Sequence, residues 1–122
     1  MNLRTKEINI SVLGDGGWGT TLAILLCRKG FNVSLWGAFP DYVAYLKKGR
    51  INTKFLPNIR IPEEIEINHD LKQAVEGKEL IIMAIPSQYL RSVLKKIKGI
   101  GYPKAAIYLS VTKGIELSLI HI

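Results

Sequence analysis

The chain has 122 residues, about one ordinary domain, which is too few for a cofactor domain followed by a separate substrate domain. Hydrophobic residues make up 48% and charged residues 22%, a core-forming composition that excludes a chain disordered over most of its length. The 17 Lys and Arg against 10 Asp and Glu give a net charge of +7, a balance that suits an anionic partner: a phosphorylated metabolite, nucleic acid or a membrane surface.

Residues 8–13 read as a short β-branched strand that runs straight into a glycine-rich turn at 14–19. Leu22, Ala23, Leu25 and Leu26 predict a helix over 20–29, and Gly30 after Arg28 and Lys29 supplies a left-handed stop. A second strand is expected over 32–36, which completes a βαβ crossover. Pro40 opens a short helix over 40–48, with Asp41 placed to favour its N-terminal dipole. Residues 49–62, with asparagines and two prolines, read as a loop.

Residues 65–68 form a candidate short strand, and Asp70 can cap a helix over 71–76. The apolar run 80–85, ended by Pro86, has the character of a strand buried on both faces. Ser87 is a candidate cap for the helix that follows, where Leu90, Val93, Leu94 and Ile97 share one side while Arg91, Lys95 and Lys98 face away. A last strand is expected over 105–111. The alternation predicts an α/β fold: a Rossmann-type open, mostly parallel sheet with helices on both faces.

The longest apolar stretches, 22–27 and 80–85, are six residues each, whereas a membrane span needs about 20. No span and no signal segment are read, so the expected location is cytoplasmic. Cys27 is alone and sits in an apolar run, which points to a structural thiol. The two histidines, His69 and His121, do not make a metal site, and no metal is expected. The basic excess gathers at Lys47, Lys48, Arg50, Lys54 and Arg60, and again at Arg91, Lys95, Lys96, Lys98 and Lys104. Aromatics are not interleaved with it as on a nucleic-acid platform, so nucleic acid is not the expected partner.

Gly14-Asp15-Gly16-Gly17-Trp18-Gly19 matches G-x-G-x-x-G in the context that gives the motif its meaning, after a strand and opening a helix. Gly14 allows the tight turn, Gly16 lets backbone approach a pyrophosphate, and Gly19 lets helix and strand pack closely. The N–H groups of Gly17, Trp18 and Gly19 then lie at the positive helix end, a natural anion site. No Lys-Ser/Thr pair follows, so a dinucleotide is favoured over a nucleoside triphosphate. A ribose-binding acid is expected at the end of the second strand, but the residues there are Trp36-Gly37-Ala38-Phe39. No Arg stands at that turn to bind a 2′-phosphate either. Both NAD and NADP stay open, with the missing acid and the basic charge leaning toward NADP.

Five segments, GDGGWGTTLA (14–23), LWG (35–37), NTKFLP (52–57), IPSQ (85–88) and VTKGIE (111–116), resemble in order and spacing the NAD(P)-dependent glycerol-3-phosphate dehydrogenases. The resemblance implies an oxidoreductase that interconverts dihydroxyacetone phosphate and sn-glycerol 3-phosphate by hydride transfer and so supplies phospholipid synthesis. By the same resemblance Gly17 and Trp18 contact the pyrophosphate and Ala38 the adenosine end. Phe55 and Tyr89 border the cofactor, and Lys113 is shared by cofactor and substrate.

Family members place the catalytic lysine in a later helical domain, so no catalytic residue is expected in this chain, and the fragment alone should be inactive. Residues 1–116 would be the dinucleotide-binding domain. Residues 117–122 do not resemble the family's continuation, so the chain looks truncated, and Asn58 stands where a glycine commonly follows. A small phosphorylated substrate is the expected partner, and a homodimer is one state open to the full-length protein. A non-catalytic Rossmann nucleotide-binding module is the alternative reading.

Overall fold

The computed structural model describes residues 8–101 and 106–111. Among them are β1 (Asn9–Leu13), α1 (Gly17–Arg28), β2 (Asn32–Trp36), α2 (Pro40–Gly49), β3 (Ile51–Asn52) and β4 (Leu56–Arg60). They are followed by β5 (Glu66–Asn68), α3 (Leu71–Val75), β6 (Leu80–Met83), α4 (Ser87–Ile100) and β7 (Ile107–Ser110). Five strands form one sheet in the order β5-β2-β1-β6-β7, and every pair in it is parallel.

Strand pleating explains how such short strands build two cores. Successive side chains point to opposite faces. Ile10 and Val12 of β1, Val33 and Leu35 of β2 and Ile82 of β6 enter one cluster with Ala23 and Ile24 of α1 and Val43 and Leu46 of α2. Leu13, Trp36, Ile81 and Met83 enter the other with Leu71, Ala74 and Val75 of α3 and Leu90, Val93, Leu94 and Ile97 of α4. The helices therefore cover both faces, as expected, and the central strands are apolar on both sides except where hydroxyls pair. Ser11 and Ser34, both buried, share a hydrogen bond of 3.2 Å across β1 and β2. A buried polar atom needs such a partner.

Four expectations are refined or corrected. Helix α1 begins at Gly17, inside the glycine motif, because Gly16 takes the extended N-cap conformation. Residues 49–62 are not a loop: β3 and β4 pair antiparallel in a small hairpin outside the main sheet. Ser87 does not cap α4. It is already the first helical residue, and the cap position falls to Pro86, whose carbonyl accepts from the Tyr89 N–H. Cys27 is only partly buried, and that burial, with Glu64 adding to it against Arg28, pushes its thiol pKa up, away from reactivity.

Asp70 caps α3 as expected, accepting from the backbone N–H groups of Lys72 and Gln73, and Gly30 takes a positive φ of 99°. Helix α2 ends differently from α1. Arg50, not a glycine, adopts the left-handed conformation, with φ of 59°. Its guanidinium donates to the carbonyls of Pro62 and Ile65, and these bonds hold a backbone conformation that costs a β-carbon-bearing residue energy.

Candidate functional site

In a parallel sheet all strands end on one side, and ligands gather at the carboxyl edge where the strand order reverses. Here that point lies between β1 and β6, whose successors in the chain, α1 and α4, lie on opposite faces. The glycine segment leaves β1 there. Its first N–H, of Gly14, donates to the Trp36 carbonyl at 2.8 Å, so the turn is tied to the end of β2.

The glycines of the motif sort by what a side chain would meet. A methyl group on Gly14 would collide with the Ala84 carbonyl, and the residue has a φ of 124°. One on Gly19 would collide with the Gly14 carbonyl. These two are glycine because the chain packs on itself. Gly16 has an ordinary φ of −72°, and a methyl group there would meet no atom within 4 Å. Nothing among the described residues requires glycine at 16, so the space beside it is open to a ligand as far as they reach.

That space adjoins the start of α1, where Gly17, Trp18 and Gly19 carry N–H groups with no intrahelical acceptor. No side chain caps this end, and no acid stands in the first turn. The positive helix end is thus left for an external anion. A cradle that a β-carbon would fill, beside uncapped N–H groups, fits a pyrophosphate.

The structure brings Ala38, Phe55 and Tyr89 to the same edge. Ala38 follows β2 and is exposed, and Tyr89 lies in the first turn of α4 beyond β6. Phe55 lies between β3 and β4, and its carbonyl oxygen stands 3.1 Å from where a β-carbon on Gly17 would be. Trp18, Tyr89 and Phe55 are 58%, 51% and 47% exposed, so none of these rings is part of the buried core. The Phe55 ring meets Tyr42 edge-on, with the Lys54 ammonium 5.3 Å from its centroid. Lys113, Lys104, His121 and the 117–122 tail lie outside the described residues.

Two residues at this edge were not singled out from sequence. Asn52, fully buried, donates its amide to the Asp15 carbonyl at 2.8 Å and to the Thr20 hydroxyl at 2.9 Å, and its oxygen accepts from the Tyr42 hydroxyl. The small hairpin thereby holds the glycine segment from outside the sheet. Asn52→Ala should destabilise the chain by about 1–3 kcal/mol, because it removes a partner from the buried Thr20 hydroxyl and from the part-buried Asp15 carbonyl and Tyr42 hydroxyl. Urea denaturation measures this, and a loss under about 1 kcal/mol would show that the clamp carries little.

The second is Asp15. One carboxylate oxygen, Oδ2, is buried with no hydrogen-bond partner among the described residues and lies against Gly37 and the Val43 side chain, in the space a β-carbon on Gly37 would need. Burial pushes the Asp15 pKa up, against the opposing pull of its own backbone N–H and of Lys54. A carboxyl whose pKa rises on folding holds its proton more tightly in the folded state. Its ionisation therefore costs stability above the folded-state pKa, and the cost fades as pH falls through that value. Asp15→Asn cannot ionise and should be more stable than wild type near neutral pH. The difference should shrink on acidification toward about pH 4, the ordinary carboxylate range. Denaturation midpoints across that range test the sign, since a gap that widens on acidification contradicts it.

Comparison with known proteins bears on this geometry. Residues 9–121 match the family described as NAD-dependent glycerol-3-phosphate dehydrogenase N-terminus. The chain is 43% identical over 108 residues to a glycerol-3-phosphate dehydrogenase [NAD(P)+] of Prosthecochloris aestuarii, covering 88% of this chain and 32% of that protein. It is 42% identical over 109 residues to one of Fusobacterium nucleatum, covering 89% and 32%. The crystal structure of glycerol-3-phosphate dehydrogenase from Coxiella burnetii superposes with a TM-score of 0.86 at 31% identity, over 93% of this chain and 36% of that one. The chain thus spans about a third of the length of the curated relatives it matches. Sheet order, glycine segment and these likenesses agree, and the chain belongs to the NAD-dependent glycerol-3-phosphate dehydrogenase N-terminal family.

Proposed function

We propose that residues 1–116 are the NAD(P)-binding domain of an oxidoreductase that interconverts dihydroxyacetone phosphate and sn-glycerol 3-phosphate. The observation that carries the reading is the open position at Gly16 beside the uncapped start of α1, in a chain of this family. A bound nicotinamide dinucleotide would supply the hydride donor or acceptor. The N–H groups of Gly17, Trp18 and Gly19 would hold its pyrophosphate, the surface at Ala38 its adenosine end, and the exposed rings of Phe55 and Tyr89 would border it. Lys113 would serve cofactor and substrate together, its ammonium attracting the substrate phosphate or polarising the carbonyl oxygen. The general acid/base lysine would belong to the part of the relatives that these residues do not span.

The same reading makes the protein cytoplasmic, gives it a role in phospholipid supply, and takes the basic surface as suited to phosphorylated small molecules rather than nucleic acid. No helix among the described residues is long and apolar enough to cross a membrane. Residues 117–122 are proposed as an atypical tail, and a homodimer as the assembly to look for in the full-length protein. The test has two arms. Calorimetric titration of the chain with NADH and NADPH should give saturable binding. Residues 9–111, grafted in place of the matching segment of the Fusobacterium nucleatum relative, should retain dihydroxyacetone phosphate-dependent oxidation of reduced cofactor. A chain that binds neither dinucleotide, or a folded graft without turnover, would overturn the proposal.

A further inference from the structure

The strand-end acid that usually meets the adenosine ribose is absent from β2, which ends at Trp36 and is followed by Gly37-Ala38-Phe39. A carboxylate nevertheless stands at that place, supplied by the glycine segment. Asp15 Oδ2 is buried against Gly37, the first residue beyond β2, and has no hydrogen-bond partner among the described residues. Any side chain at 37 would displace it, because a β-carbon there would overlap Oδ2 and crowd Val43 Cγ2 at 2.7 Å. Glycine at 37 and aspartate at 15 therefore fit each other.

We infer that Asp15 takes over the role of the missing strand-end acid and makes this domain prefer NAD over NADP. The inference rests on the dinucleotide-binding reading and adds the choice between the two cofactors. A 2′-phosphate bound at the end of β2 would approach a part-buried carboxylate whose Oδ2 has no hydrogen-bond partner among the described residues, and like charges in a poorly solvated site repel strongly. Residues 37–40, Gly37, Ala38, Phe39 and Pro40, contribute no cation to offset this. Lys54, in the turn between β3 and β4, is the cation whose field reaches Asp15. Its ammonium lies over the Phe55 ring, 5.3 Å from the centroid. The preference runs opposite to the lean toward NADP that composition and the bare strand end suggest.

The experiment is titration of the 122-residue chain and its Asp15→Asn variant with NADH and NADPH, paired with competition by ADP and by 2′,5′-ADP. Wild type should favour NADH over NADPH by on the order of tenfold or more, and the isosteric, uncharged variant should narrow that ratio to within about threefold. ADP should compete better than 2′,5′-ADP in wild type, and the variant should bind the two about equally. Circular dichroism and thermal melts check that the variant is folded, while the wild-type ratio tests the inference without it. Equal or tighter NADPH binding by wild type, or a ratio unchanged in a folded variant, overturns the inference and leaves dinucleotide binding standing. Absence of binding by both dinucleotides overturns the dinucleotide reading itself.

Discussion

Gly16→Val should weaken NADH binding by at least about 100-fold, a loss of about 2.7 kcal/mol, while the chain remains folded. The backbone at Gly16 is in an extended conformation that valine adopts readily, and a β-carbon there meets no atom of the described residues within 4 Å. The branched side chain would instead fill the space beside the uncapped N–H groups of α1, holding phosphate oxygens away from their donors. Glycine is the better N-cap, so a cost of about 1 kcal/mol and a fall in Tm of about 3–6 °C are expected. Calorimetric titration beside thermal melts separates the two effects. Binding within about threefold of wild type would mean that nothing docks at this position.

Gly14→Ala should do the reverse and fail at the level of folding, with a loss of about 4 kcal/mol. The φ of 124° at Gly14 is nearly closed to any residue with a β-carbon, at a cost of about 1–3 kcal/mol. The new methyl group would also drive into the Ala84 carbonyl, with the carbonyl carbon 2.8 Å away. Backbone cannot rotate aside as a side chain can, and overpacking of this kind adds about 1–3 kcal/mol. Ala84 is itself bonded to the Leu13 carbonyl at 2.8 Å, so relief would mean parting β1 from β6 at the point where the site opens. Urea denaturation reads the loss, and a midpoint within about 1 kcal/mol of wild type would contradict the packing argument.

The contrast between these two glycines marks what can be read from sequence. The spacing of Gly14, Gly16 and Gly19 after an apolar strand announces the turn and its ligand class, and the run 80–85 announces a strand buried on both faces. Both are local signals, carried by consecutive side chains. The β3–β4 hairpin gave none. Leu56–Arg60 is partly to fully exposed and contains a proline, so neither alternation nor an apolar run betrays it, and its asparagines and prolines imitate a loop. Asn52 belongs to that hairpin, and its partners Asp15 and Thr20 stand 37 and 32 residues earlier. No periodicity reports a contact of that kind. Asp15 did carry a trace of its role, an acid within a glycine turn and a glycine where an acid is usual, but only the fold brings Asp15 and Gly37 together.

The register of β1 has a consequence for how the chain comes off the ribosome. β1 is the middle strand, paired with β2 on one side, Asn9 beside Asn32, and with β6 on the other, Ile10 beside Leu80. The second partner arrives 70 residues later, the same separation as the bond from the Asn9 N–H to the Glu79 carboxylate. At about 5–20 residues per second that is roughly 4–14 s in which one side of an apolar strand has no neighbour. During that interval β1, α1 and β2 can close locally, but the edge of β1 that will receive β6 offers unpaired backbone to any other strand. Nascent chains halted before residue 80 should therefore be the aggregation-prone species, and those extended past Met83 should be the first to resist it.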